Sequence, residues 1–280
     1  MREQDYGPLI ERALSEDLGQ EGDVTSAVLP DRPAQARLVS KEEGVLAGSS
    51  VFAAVFGRVD PLVKVRFLRR DGEPVHPGEP VAHVDGPVRS ILSAERTALN
   101  FLCYLSGIAT ETRRFVETAG GKVAILDTRK TLPGYRGLAK AAVRAGGGMN
   151  HRMGLYDMVL IKDNHIDSAG SLSKAVALAR RRWGERFPIQ VECRTQAEVR
   201  EAVSAGVQLI MLDNMSPRRM RRAVQAVGGR AQIEASGNMT LRRVRALREL
   251  GLDRISVGRL THSVRALDFS LDIVEWRERP

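Results

Sequence analysis

A chain of 280 residues, 43% hydrophobic and 28% charged, suffices for one α/β barrel or two modest domains around a sizeable core. Its start is charged and lacks an apolar h-region, its most apolar window (45–57) is broken by Gly and Ser, and Cys103 and Cys193 lie far apart in apolar surroundings. These features argue against a secretory signal, a membrane span and a disulfide framework, and predict a cytoplasmic protein. The net charge of +9 is carried mostly by arginine, since only seven of the 43 basic residues are lysine. It clusters on helix-like stretches with no interleaved aromatics, zinc spacing or helix-turn-helix signature, so solvated basic faces are expected and no nucleic-acid partner.

In chain order, residues 6–18 set Leu9, Ile10, Ala13, Leu14 and Leu18 on one face of an amphipathic helix. Strand-like runs at 36–40, 63–68 and 80–84 follow, punctuated by Gly44, Asp71-Gly72, Pro77-Gly78 and Asp85-Gly86-Pro87. A long helix begins near Ser93 with Ala94, Ala98, Phe101, Leu102 and Leu105 on one face and Leu99 and Cys103 on another. This pattern predicts a helix buried on several sides, within which Arg96 needs a partner unless it snorkels to solvent. Residues 1–107 are expected to form a small α+β unit with an antiparallel sheet, rejoined by the tail 268–280.

From Lys122 onward strands alternate with helices. Strands are expected at 123–126, 158–161, 189–191, 209–212, 232–234 and 254–257, and helices at 171–183, 197–205, 217–227 and 241–250. Such a rhythm implies a parallel sheet, and six units fall short of the eight in a full barrel. Residues 108–267 are therefore predicted to form an open, incomplete α/β barrel of about seven strands.

Each strand runs abruptly into polar residues: Asp127, Arg129 and Lys130; Lys162 and Asp163; Glu192; Asp213 and Asn214; Ser236 and Gly237; Gly258. Groups at that edge of a barrel converge on one site. The set combines cations (Arg129, Lys130, Arg152, Lys162), a carboxylate pair (Glu192, Asp213) suited to a divalent metal or a ribose diol, and late turns of the kind that bind phosphate. A substrate with two or more anionic ends, one a phosphate, fits this inventory. Alternatives stay open: Glu192 and Asp213 pairing with Arg194 or Arg218, Ser236-Gly237 as an ordinary turn and cap, and His151 or His262 as structural histidines.

Several segments, in order over almost the whole chain, carry a family resemblance. They are Glu16-Asp17-Leu18-Gly19 with Gly22-Asp23-Val24-Thr25, Ser93-Ala94-Glu95-Arg96, Asp127-Thr128-Arg129-Lys130-Thr131 with Pro133-Gly134, and residues 146–155. Further along stand Lys162-Asp163-Asn164-His165-Ile166, Met211-Leu212-Asp213-Asn214, Glu234-Ala235-Ser236-Gly237-Asn238 and Thr261-His262-Ser263. With these the chain resembles quinolinate phosphoribosyltransferases, the decarboxylating nicotinate-nucleotide pyrophosphorylases of NAD biosynthesis. It departs from the family pattern at Arg259 and at Cys193-Arg194.

The resemblance implies an N-terminal α/β sandwich domain, a C-terminal open α/β barrel of about seven strands and a head-to-tail homodimer with shared active sites, Arg96 reaching a quinolinate carboxylate across the interface; further assembly into hexamers stays open. It implies Arg129, Arg152, Lys162 and His151 at the quinolinate carboxylates, and Lys130, with Thr131 adjoining, between quinolinate and pyrophosphate. Glu192 and Asp213 would hold the ribose hydroxyls directly or through Mg²⁺, and Ser236, Gly237, Asn238, Gly258 and His262 the 5′-phosphate. Lys130, Lys162, Glu192 and Asp213 are the expected catalytic residues. Rival readings are a molybdenum-associated paralogue of the same fold, an aldolase forming a Schiff base at Lys162, and a nucleic-acid-binding protein.

Overall fold

The computed structural model describes residues 6–276, so 277–280 of the expected tail lie outside the described residues. In order the elements are α1 (Gly7–Leu18), β1 (Pro33–Ser40), β2 (Gly44–Val45), α2 (Ser49–Val59), β3 (Lys64–Phe67), β4 (Pro74–Val75), β5 (Pro80–Pro87) and α3 (Val88–Ala119). Then come β6 (Ala124–Leu126), α4 (Arg136–Ala145), β7 (Val159–Ile161), α5 (Asp163–Ala169), α6 (Leu172–Trp183), β8 (Ile189–Cys193) and α7 (Gln196–Ser204). The chain closes with β9 (Leu209–Asp213), α8 (Pro217–Val227), β10 (Gln232–Ser236), α9 (Leu241–Leu247), β11 (Arg254–Ser256), α10 (Arg259–His262) and β12 (Phe269–Trp276). Packing divides them into two units. One holds the described residues up to Arg113, Thr131–Gly147 and those from Ser263 on; the other holds Arg114–Lys130 and Gly148–His262.

The first unit is built on an antiparallel sheet in the order β12-β1-β5-β3. The broken apolar window around residue 50 contains α2, a helix that sequence patterning did not single out. It starts at Gly48, whose φ of 96° suits glycine, and buries Val51, Phe52, Val55 and Phe56 on one stripe. The long helix α3 starts at Val88, ahead of Ser93, and decides between the two readings of Arg96. Ala94, Ala98, Leu99 and Leu102 are buried, whereas Arg96 and Asn100, one turn apart, lie on an exposed stripe. Within this chain Arg96 is therefore not a buried cation in need of compensation.

The second unit is a six-stranded parallel sheet in the order β6-β11-β10-β9-β8-β7, with an isolated parallel bridge from Leu126 to Met149 adding a short seventh line beside β6. Its end strands β6 and β7 do not pair with each other, which leaves the barrel open. The six predicted strands all form. Hydroxyl caps start the helices that follow them: Ser171 for α6, Thr195 for α7 in a capping box with Glu198, Ser216 for α8 and Thr240 for α9.

Much of the arginine excess has a local use here. Arg180 donates to the Ala205 and Gly206 carbonyls beyond α7, at 2.7 and 2.6 Å, and Arg230 to Ala226 and Val227 at the end of α8, at 2.5 and 2.9 Å. Cations at carbonyl-rich helix ends stabilise orphan acceptors and the helix dipole. One aromatic does accompany the basic stretch, contrary to expectation: the Arg182 guanidinium lies 4.6 Å from the Trp183 ring centre, an arrangement that engages the ring with its own neighbour. Among the described residues no helix is long and apolar enough to cross a membrane.

Candidate active site

Side-chain alternation along the barrel strands places the site. In β8, Val191 and Cys193 share one face while Gln190 and Glu192 share the other; in β9, Ile210 and Leu212 oppose Met211 and Asp213; in β10, Ile233 and Ala235 oppose Glu234 and Ser236. The apolar members are almost wholly buried. Parallel register aligns Glu192 with Met211 and Met211 with Glu234, and one step onward Asp213 with Ser236. The polar residues thus rise on one face toward the carboxyl ends of the strands.

Around this face the expected residues fall into neighbouring groups. Lys162, just past β7, meets Glu192 through Nζ and Oε2 at 2.5 Å. Arg194 pairs with Asp163 at 3.2 Å, so it is not the partner of Glu192. Asp213 accepts from Asn214 Nδ2 at 2.8 Å. Asn214 and Asn238 hold φ of 51° and 45° beside Gly237 at 99°, left-handed backbone gathered at two adjoining strand ends. Such strain concentrates at functional turns. Lys130 accepts at its carbonyl from Thr261 Oγ1 at 2.7 Å, and its side chain lies over Gly258, where a Cβ would stand 3.0 Å from Lys130 Cδ and 3.2 Å from His262 Cδ2. Lys130 therefore groups with Gly258 and His262.

The cationic part centres on Arg129 and Arg152. Arg152 donates to the Met158 carbonyl at 3.2 Å. Burial, and then the nearby Arg129 charge, pull its pKa below the usual arginine value, with Asp157 partly offsetting them. Arg129 Nε is buried with no hydrogen-bond partner. Two neighbouring guanidiniums, one with an orphaned N–H, make a charge arrangement suited to an anion.

His151, 7% exposed at its side chain, accepts from the Arg152 N–H through Nδ1 at 2.7 Å, while Nε2 faces Glu234 Oε2 at 3.5 Å. Beneath it, fully buried Asp127 accepts from Asn150 Nδ2 at 2.6 Å and from the His151 N–H at 2.9 Å. Arg96 and Thr131 belong to the first unit, where the Thr131 hydroxyl accepts from Arg136 Nε at 3.1 Å.

Gln190, Glu234, Asn150 and the anchoring role of Asp127 escaped the sequence reading. A signal existed: Gln and Glu at alternate positions of otherwise apolar strands mark a polar inner face. As for a metal, no cluster of three or more His, Cys, Asp or Glu occurs among the described residues. Glu192 and Asp213, at the ends of the neighbouring strands β8 and β9, are the carboxylates from which a Mg²⁺ could take oxygen ligands.

Comparisons with known proteins agree over nearly the whole length. Residues 23–106 match the family model of the quinolinate phosphoribosyl transferase N-terminal domain, and residues 108–272 that of its C-terminal domain. A Bacillus subtilis protein named probable nicotinate-nucleotide pyrophosphorylase (carboxylating) is 42% identical over 267 residues, covering 95% of this chain and 92% of that protein. A Nicotiana tabacum protein named quinolinate phosphoribosyltransferase (decarboxylating) 1b is 43% identical over 289 residues, covering 96% and 82%. The crystal structure of NadC from Streptococcus pyogenes has a TM-score of 0.96 to this structure at 40% identity, covering 99% of both chains.

Proposed function

Because the chain belongs to the quinolinate phosphoribosyltransferase family, we propose that it transfers the phosphoribosyl group of phosphoribosyl pyrophosphate to quinolinate with loss of carbon dioxide, yielding nicotinate mononucleotide and pyrophosphate for NAD biosynthesis. The observation that carries this reading is the Arg129–Arg152 pair, with its orphaned buried Nε, on the same sheet edge as Glu192 and Asp213. A dicarboxylate answers the first and a ribose phosphate the second.

Arg129 and Arg152 bind the quinolinate carboxylates, with Lys162 at the reacting end. Glu192 and Asp213 orient the ribose hydroxyls. Ser236, Gly237, Asn238, Gly258 and His262, with Lys130 beside them, hold phosphate. The pyridine nitrogen displaces pyrophosphate at C1′ through an oxocarbenium-like transition state: the N–C1′ bond forms as the C1′–O bond breaks. The ring nitrogen, now cationic, stabilises the carbanion left at C2 as carbon dioxide departs, and that carbanion takes a proton from water. No side-chain nucleophile is needed; orientation and electrostatics suffice. Mg²⁺, held at Glu192 and Asp213, would neutralise charge on the leaving pyrophosphate.

The assembly belongs to the same proposal: a homodimer in which exposed Arg96 of one chain completes the quinolinate site of the other. So does a cytoplasmic location, in keeping with two thiols that carry no disulfide. Lys162 engaged with a carboxylate speaks against its use as a Schiff-base amine. The deciding experiment incubates the pure protein with quinolinate, phosphoribosyl pyrophosphate and Mg²⁺. Nicotinate mononucleotide and carbon dioxide should appear in equal amounts, and their absence would overturn the proposal.

A further inference from the structure

The inner face of the barrel holds a carboxylate that this scheme leaves unused. Glu234 is 2% exposed, and its Oε2 accepts from Gln190 Nε2 at 3.0 Å while lying 3.5 Å from His151 Nε2. Burial opposes its ionised form, while hydrogen bonds from His151, Gln190 and Ser256 favour it. A charged carboxylate beneath an anion-binding site repels the ligand that the site collects. Its retention points to a compensating use.

The geometry around His151 identifies that use. A carboxylate is an acceptor only, so the ring nitrogen facing it, Nε2, carries the proton. On the other side Nδ1 accepts the Arg152 N–H, which leaves Nδ1 no room for a proton of its own. Both constraints are met only by the neutral Nε2–H tautomer. Gln190 aims the carboxylate, giving its amide N–H to Glu234 while its own Oε1 stays buried without a partner. We propose that Glu234, aimed by Gln190, is a positioning residue that fixes His151 as the Nε2–H tautomer and thereby holds the Arg152 backbone, and its guanidinium, in place for the dicarboxylate. This deepens the functional reading above and rests on it.

The test is Glu234→Met, which keeps the length of the side chain but removes the acceptor facing Nε2 and with it the preference for a proton there. With ¹⁵N-labelled histidine, the ring signals of His151, assigned by their loss in His151→Asn, should show Nε2 protonated in the wild type. In Glu234→Met the two tautomers should mix. The KM for quinolinate should rise about tenfold or more while that for phosphoribosyl pyrophosphate stays within about twofold, as expected when one buried acceptor of a small network is lost. Gln190→Met, which removes only the aiming amide, should move both readouts the same way and serves if Glu234→Met does not fold. An Nδ1–H tautomer in the wild type, or an unchanged tautomer and quinolinate KM in the variants, overturns the proposal. A wild type inactive on quinolinate would instead remove the functional reading, and the tautomer comparison would then decide the positioning role alone.

Discussion

Lys162 Nζ meets Glu192 Oε2 at 2.5 Å across the ends of β7 and β8, so the cation assigned to quinolinate and the carboxylate assigned to the ribose satisfy each other before either substrate arrives. The Lys162 side chain is 45% exposed and that of Glu192 12%, so water reaches the ammonium side of the pair and screens it. Exchanging it for substrate contacts is therefore easy. Lys162→Ala should lower kcat by more than ~100-fold, the usual loss when a preorganised charge at a reacting centre is deleted. Its melting temperature should stay close to that of the wild type. A variant that keeps near-normal turnover would remove Lys162 from the chemistry.

Gly237 should be the least replaceable of the phosphate-turn residues. At φ 99° it occupies backbone that side chains rarely adopt, and a Cβ there would overlap the Asn214 side chain. Gly237→Ala should cost about 1–3 kcal/mol of stability through this strain. Because Asn214 neighbours Asp213, the same change should raise the KM for phosphoribosyl pyrophosphate more than that for quinolinate. Denaturant melts with paired KM measurements check it; an equal rise in both KM values would place the turn away from the sugar phosphate.

How much of this was legible in the sequence follows from which force placed each residue. The barrel strands were readable because short β-branched runs between glycines and amphipathic helices admit few other structures, and their polar ends supplied the residues proposed for the site. Glu234 and Gln190 were not, because strands treated as buried runs hide the alternation that turns every second residue inward. The sequence leaves Arg96 between a buried, partnered cation and one reaching solvent, because apolar residues on two helical faces suggest burial all round; a stripe one residue wide, Arg96 and Asn100, stays open. The helix α2 was obscured by Gly and Ser flanking a run whose apolar stripe does the folding.

Asp157 ties the loop that follows Arg152. Its carboxylate accepts from the N–H groups of Met153, at 2.6 Å, and Gly154, at 3.0 Å. Burial pushes its pKa up, but these N–H donors and Arg152 outweigh burial and hold it below 3.8. A folded-state pKa depressed below the unfolded one gives stability that is fully present above the unfolded value and lost as pH falls through the folded one. Urea midpoints of the wild type should thus exceed those of Asp157→Asn by a constant margin from about pH 5 to 8, and the margin should close below about pH 4. A margin that persists into strong acid would show that the carboxylate charge is not what secures the loop.

The exposed position of Arg96 makes the shared-site proposal testable without a structure of the assembly. Within its own chain the guanidinium lies on an open helical stripe, while Lys162 stands at the barrel edge of the other unit. If each site takes Arg96 from one chain and Lys162 from the other, chains bearing Arg96→Ala or Lys162→Ala are each inactive alone. Mixed after dissociation, half the subunits of a random population form heterodimers, and each heterodimer has one site with both defects and one with neither. Activity should therefore return to about one quarter of wild type per chain, the statistical yield for subunits that associate without preference. Heterodimers verified by mass but still inactive would mean that Arg96 and Lys162 serve the same chain's site, and the crossed arrangement would fall.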